Sequence, residues 1–298
     1  MRRYREHDAD NARWDGFEFR PGDVVISTPS KSGTTWTQLL VALLIFDGPE
    51  FPAPLGVLSP WMDHFVQPVD EVHASLAAQT HRRFIKTHTP LDGVPLRDEV
   101  RYVCVGRDPR DAVVSMAHHR TNLDRERYAD LVDAVRPPDI EAPPPAGDRT
   151  MEEDFDRFLD RPDEEFPAWT IQFVAHHYTT FWDHRDDPNV ALFHFADYLA
   201  DLPGEVARLG AHLGRDIDRV DAERLAAHAS IGSARERAAQ VAPEANLEIW
   251  KRPEGFFRSG SSGEWREHMT ATQQAKYDAL VADLFPPDLA KWVHAGRR

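Results

Sequence analysis

The stretch DVVISTPSKSGTTWTQLLVALLIF, residues 23–46, decides how the chain is to be read. Its first five residues form an apolar, β-branched run that predicts a strand. Trp36, Leu39, Leu40, Leu43 and Leu44 recur at helical spacing and predict a helix from Thr34 to Phe46 with one apolar face. Between the two lies a short polar loop containing Lys31, Ser32, Gly33, Thr34 and Thr35. That order sets backbone N–H groups at a helix N-terminus, where unsatisfied donors and the helix dipole both favour an anion. A capped turn would explain one hydroxyl and leave the lysine, the glycine and the threonines without a purpose.

The same alternation continues outward. The runs RFIK (83–86), RYVCV (101–105) and NVALFHF (189–195) predict further strands separated by helical segments, which is the pattern of an α/β fold. We therefore expect a single domain over residues 1–298, with a mostly parallel central sheet flanked by helices. After RYVCV, Asp108 is placed to cap a helix whose first residue is Pro109. Near the end, Thr270 and Gln273 form a capping box before a helix that carries Tyr277, Leu280, Val281 and Leu284 on one face. Residues 120–167 are proline-rich and acidic without a burying periodicity, and are expected to be a surface insertion or lid.

Composition excludes several classes of function. The chain has 298 residues, with 35 Lys and Arg against 50 Asp and Glu, a formal charge of −15. Nucleic acid and anionic membrane are repelled by that charge, so an anionic ligand must be caught by a few placed basic residues. The one cysteine, Cys104, lies within an apolar run, so no intramolecular disulfide is available and the thiol reads as buried filler. The N-terminal segment has no apolar h-region and LLVALLIF is too short to span a bilayer, from which a soluble, cytoplasmic protein is expected.

The loop does not follow the nucleotide-triphosphate pattern G-x-x-x-x-G-K-[ST]. No glycine opens it, and Lys31 precedes Gly33 where it should follow. No apolar run ends in an aspartate suited to hold Mg²⁺. The residues instead suit a single 5′ phosphate gripped by amides and hydroxyls.

STPSKSGTTW resembles the 5′-phosphosulfate loop of the cytosolic-type sulfotransferases, T-Y-P-K-S-G-T-T-W, whose donor is 3′-phosphoadenosine 5′-phosphosulfate (PAPS); Pro29 and Ser30 replace the Tyr-Pro pair. VCVGRDPRDAVVSMAHH is similar to the family's 3′-phosphate element, with Arg107 and Ser115 in the matching places. FFRSGSSGEWREHMT resembles its R-K-G-x-x-G-x-W-K element through Arg258, Ser259, Gly260, Gly263, Trp265 and Arg266. Together these cover the chain from about Phe17 to Phe285.

The resemblance implies a PAPS-dependent sulfotransferase acting on a phenol, alcohol or glycan hydroxyl of a small acceptor, without a metal. It places Lys31, Ser32, Gly33, Thr34 and Thr35 at the 5′ phosphosulfate, and Arg107, Ser115, Arg258, Ser259 and Gly260 at the 3′ phosphate. Trp36, Phe195 and Ile231 fall at the adenine. Ser259 stands where the family has a lysine, which should weaken cofactor binding by roughly 1 to 3 kcal/mol.

In IKTHTP, Lys86 and His88 lie at i and i+2 of a strand end and so point the same way. Histidine suits a general base because its ordinary pKa is near neutral. The resemblance makes His88 that base, Lys86 the residue that steadies the sulfuryl group, Lys31 the partner of the departing phosphate, and Ser115 a holder of Lys31 before the acceptor arrives. SPWMDHF implies Trp61, Met62 and His64 as acceptor walls. The pairs His118–His119 and His176–His177 read as polar helix surface. The family's dimer stretch, K-x-x-x-T-V-x-x-x-E, is degraded here to Arg266, Thr270, Ala271 and Ala275, which leaves the oligomeric state open. Two other readings stand beside this one: an ATP-dependent kinase, and a non-catalytic adenosine-bisphosphate-binding protein.

Overall fold

A computed structural model describes residues 1–143, 147–160, 169–258 and 260–297. Four strands, β1 (Val24–Ser27), β2 (Phe84–Thr87), β3 (Arg101–Gly106) and β4 (Val190–His194), form one all-parallel sheet in the order β2-β1-β3-β4. Each predicted strand is present within a residue or two of its expected bounds.

Every residue of β1 and β2 is buried, the mark of parallel strands covered on both faces. Side chains alternate across the sheet. Val25, Ile85, Tyr102 and Cys104 enter one core with the helices Ile171–Trp182, Ala271–Leu284 and Pro287–Ala295. Val24, Ile26, Phe84, Val103, Val105 and Phe193 enter the other, with α1 (Thr34–Phe46) and the helices Leu202–His212 and Arg219–His228. Cys104 is fully buried, and burial pushes its thiol well above the ordinary cysteine value.

α1 has the bounds expected of it but not the single apolar face. Thr37, Gln38, Val41 and Ala42 are as buried as Leu39, Leu40, Leu43 and Leu44, because other elements cover the helix all round. Gln38 is accommodated there by donating to the Ser59 carbonyl (3.0 Å) and Oγ (2.9 Å). The Asp108 cap, Pro109 at the start of Pro109–Asn122, and the Thr270–Gln273 capping box all form.

The segment 120–167, expected as a surface insertion or lid, carries helices where it is described; its residues 144–146 and 161–168 lie outside the described ones. It finishes Pro109–Asn122 and adds the helices Arg125–Val135 and Met151–Phe158, each opened by a side-chain cap, Asp124 and Thr150. Phe155, Phe158 and Leu159 are buried in the first core, so this end of the segment is part of the body of the fold. Two short amphipathic helices between prolines carry too few turns for their period to stand out in the sequence. Among the described residues no helix is long and apolar enough to cross a membrane.

Since β1 lies between β2 and β3, the chain leaves it to one side and later returns to the other. The carboxyl ends of β1 and β3 flank the point where the connections diverge, which is where open α/β sheets hold ligands.

Candidate active site

The loop after β1 is built for close approach. Lys31 and Gly33 have positive φ, 65° and 115°. A Cβ on Gly33 would stand 3.4 Å from both Phe195 and Val105, so glycine meets the conformation and the space at once. Thr28 Oγ1 and Thr34 Oγ1 are 2.5 Å apart across the loop. Ser32 Oγ lies 2.9 Å from the Tyr178 hydroxyl, which accepts the Arg107 amide at 3.1 Å. One buried tyrosine thus ties the loop to the end of β3.

Arg107 donates from Nη1 to the Lys31 carbonyl (3.0 Å) and from Nη2 to the Ser261 carbonyl (3.2 Å), with its guanidinium 4.3 Å over the Phe195 ring. Among the described residues its buried Nε has no hydrogen-bond partner. A buried guanidinium with a spare donor and no carboxylate in its hydrogen bonds is suited to an anion. Burial lowers its pKa from the usual arginine value.

Gly260, at φ 62°, closes from the other side; a Cβ there would come within 2.8 Å of Ile231 Cδ1. The chain reaching it is moored by Asp111, which accepts the Gly263 amide at 2.7 Å. Arg258 pairs with Glu264, while Ser259 falls outside the described residues. Trp36 donates to the Ala229 carbonyl (3.0 Å) and meets Phe195 edge-on at 5.3 Å, so Trp36, Phe195 and Ile231 sit together on the cavity wall beside the loop.

At the end of β2, His88 Nδ1 donates to the Thr28 carbonyl at 2.7 Å, which leaves Nε2 as the basic nitrogen. Burial, then neighbouring Lys86, hold its pKa well below the ordinary histidine value. Lys86 Nζ lies 3.9 Å over the Trp61 ring and donates to both oxygens of Glu244, at 2.9 and 3.1 Å. Lys31, Lys86, His88, Arg107, Ser115, Trp61 and Glu244 all line one cavity of about 1370 Å³. It is larger than a typical small-molecule pocket. No group of three or more His, Cys, Asp or Glu among the described residues could hold a metal ion.

Three sequence expectations are corrected here. Lys31 is held by His119, with Nζ 3.1 Å from Nδ1 and 4.3 Å over Phe256, and not by Ser115. Met62 is fully buried in the first core and His64 is packed at 3.9 Å against the Trp61 ring, so of the three expected acceptor walls only Trp61 lines the cavity. His119 and His177 are not helix surface: His119 lines the cavity, and His177 is fully buried against Ser27 Oγ at 2.9 Å. His119 stands four residues after Ser115 on one helix, a spacing that could have singled it out. Glu244, and Asp63, whose Oδ2 accepts from the Thr87 and Thr89 hydroxyls on either side of His88, carry no such signal.

A sulfotransferase-domain family model matches residues 21–292 of this chain. The chain belongs to the sulfotransferase family. This sulfotransferase is 47% identical over 309 residues to the glycolipid sulfotransferase of Mycobacterium bovis, covering 99% of this chain and 94% of that one. It is 25% identical over 278 residues to Sulfotransferase 1B1 of Mus musculus, covering 90% and 84% of the two chains. Among solved structures it is similar to retinol dehydratase in complex with androsterone and inactive cofactor PAP, with a TM-score of 0.71 and 25% identity over 93% of this chain and 86% of that one. Sulfuryl transfer therefore replaces the kinase reading of the loop.

Proposed function

We propose that this sulfotransferase uses PAPS and delivers its sulfuryl group to a hydroxyl on the sugar head of a glycolipid, with His88 as the base. The observation that carries the reading is the convergence of Lys31, Lys86 and His88 on one cavity, with His88 Nδ1 fixed on Thr28 at the root of the anion loop. The acceptor class rests on the glycolipid sulfotransferase relative at 47% identity and on the size of the cavity.

The residues fit the cofactor. Loop amides and the hydroxyls of Ser32, Thr34 and Thr35 would hold the 5′ phosphosulfate; Arg107, Ser115 and the Gly260 backbone would hold the 3′ phosphate; Trp36, Phe195 and Ile231 would flank the base. When bound, PAPS supplies the sulfuryl group and a phosphate that gains charge as the sulfur–oxygen bond breaks. His88 Nε2 takes the acceptor proton as the acceptor oxygen attacks. Lys31 would donate to the bridging oxygen of the bound cofactor, and Lys86 to its sulfuryl group. Removing one such preorganised donor costs about 3 to 4 kcal/mol in the transition state.

The test pairs binding with turnover. Adenosine 3′,5′-bisphosphate at a hundred times its Kd should stabilise the protein by about 2.7 kcal/mol. His88→Ala should keep that thermal shift and lose sulfation of glycolipid by roughly 10²-fold or more. Full activity in His88→Ala removes the base role; stabilisation by ATP with Mg²⁺ and not by the bisphosphate removes the cofactor.

A further inference from the structure

Glu244 is a buried carboxylate that the reaction above does not use. Its side chain and that of Lys86 are 7% and 5% exposed, and both line the cavity. The residue has φ 49°, a left-handed conformation that glycine or asparagine would adopt more readily. That backbone is pinned: a Cβ on Gly56 would stand 3.0 Å from the Glu244 amide, and Trp250 Nε1 donates to the Pro243 carbonyl at 2.6 Å. Such a conformation in a residue other than glycine is uncommon and is enriched at ligand-binding positions.

Lys86 gives Glu244 two hydrogen bonds, one to each oxygen. A carboxylate can accept about four. The two donated bonds therefore leave acceptor capacity on a desolvated anion at the wall of an acceptor cavity, and such capacity is costly until donors fill it. The position is also specific to the reaction. Lys86 lies 3.9 Å over the Trp61 ring and His88 meets the same ring edge-on at 4.7 Å, so carboxylate, ammonium and base are gathered around one indole. Tyr128 lines the same cavity, and its hydroxyl is already committed to Asp8 at 2.7 Å.

We propose that Glu244 is the site's reader of acceptor hydroxyls: its carboxylate accepts a hydrogen bond from a hydroxyl neighbouring the one that reacts. A phenol has a single hydroxyl, which His88 occupies, so it leaves Glu244 unsatisfied; a sugar ring or other polyol supplies the second donor. Glu244 thereby selects polyol acceptors over monohydroxy ones and returns to Lys86 alone when the cavity empties. This inference rests on the acceptor reading above and names the side chain that enforces it.

The experiment compares kcat/KM for octyl glucoside and for 4-methylphenol in the wild type, Glu244→Gln and Glu244→Asp, with PAPS as donor. A site that hydrogen-bonds a substrate hydroxyl discriminates strongly against its absence. The glucoside-to-phenol ratio should fall by about tenfold or more in Glu244→Gln and recover in part in Glu244→Asp. A proportional fall for both acceptors overturns the proposal and leaves Glu244 as a partner of Lys86 alone. Folding of each variant is checked by its thermal shift with adenosine 3′,5′-bisphosphate. Independently of any variant, one monodeoxy derivative of the glucoside should lose about tenfold or more in the wild type; a series in which none loses more than about twofold overturns the proposal. A wild type that sulfates the phenol and not the glucoside overturns the acceptor reading itself.

Discussion

Lys31 Nζ and His119 Nδ1 stand 3.1 Å apart, a lysine whose natural partner is an anion resting instead on a half-buried imidazole. Burial, then Arg107 and Lys86, push the Lys31 pKa down to about 7. His119 is kept well below the ordinary histidine value by burial and then by Lys31, so it can accept without competing for the proton. The loop is thus short of negative charge, and a bound phosphate would restore the lysine's proton.

Bisphosphate binding should therefore take up protons above pH 7. The complex holds Lys31 protonated to higher pH than the empty site does, so affinity falls as pH rises from about 7. Calorimetry at pH 8 in buffers of different ionisation enthalpy should show uptake approaching one proton per site. Lys31→Met should remove it, and uptake that survives the substitution would assign the proton elsewhere.

Acid should destabilise the fold early. Burial lowers His88 and His119, and lowers His177 to about 3, whereas the unfolded chain protonates near the ordinary value of 6.5. Below pH 6.5 the unfolded state binds more protons, so stability present at neutral pH is lost as pH falls from about 6.5 toward the folded-state values. By pH 5 His177 alone accounts for a loss on the order of 2 kcal/mol. Urea midpoints should drop between pH 7.5 and 5, and His177→Asn should flatten the slope.

Asp63 should act on catalysis through His88. The Thr87 and Thr89 hydroxyls both donate to Asp63 Oδ2, and the Thr89 amide donates to Thr87 Oγ1 at 2.9 Å. These bonds grip the residues on either side of His88 and set the direction in which it leaves β2. Asp63→Asn keeps the volume and weakens the grip. We expect kcat to fall by about tenfold or more, with the bisphosphate thermal shift retained. Equal loss of shift and kcat would make the role one of folding only.

Gly260→Ala should strain the closing segment. Its φ of 62° and a Cβ 2.8 Å from Ile231 Cδ1 both oppose a side chain. A cost of about 1 to 3 kcal/mol in bisphosphate binding follows. Ile231→Val in the same chain, which removes Cδ1 and keeps an aliphatic wall at the base, should return the part due to the clash; no recovery would locate the strain wholly in the backbone.

Much of the candidate site is legible in the chain because it is local. Lys31 to Trp36 are contiguous, and the helix from Thr34 to Phe46 forms within the bounds that its periodicity predicts. Asp108, Pro109 and Thr270 are capping signals that work within one turn. Residues whose role depends on distant partners could not be read this way. His177 serves Ser27 across 150 positions and Glu244 reaches Lys86 across 158.

What the sequence by itself determined was the alternation of strand and helix, the polar loop from Lys31 to Thr35 at a helix N-terminus and the strand-end histidine, since each is written in neighbours a few residues apart and local sterics, caps and periodicity suffice to form them. What only the tertiary structure decided was the order β2-β1-β3-β4, the burial of α1 on all sides, the departure of Met62 from the cavity, and the partners of Lys31 and Lys86. Those depend on which surfaces meet when the two cores close, and a buried lysine takes whichever acceptor the fold brings within about 3 Å.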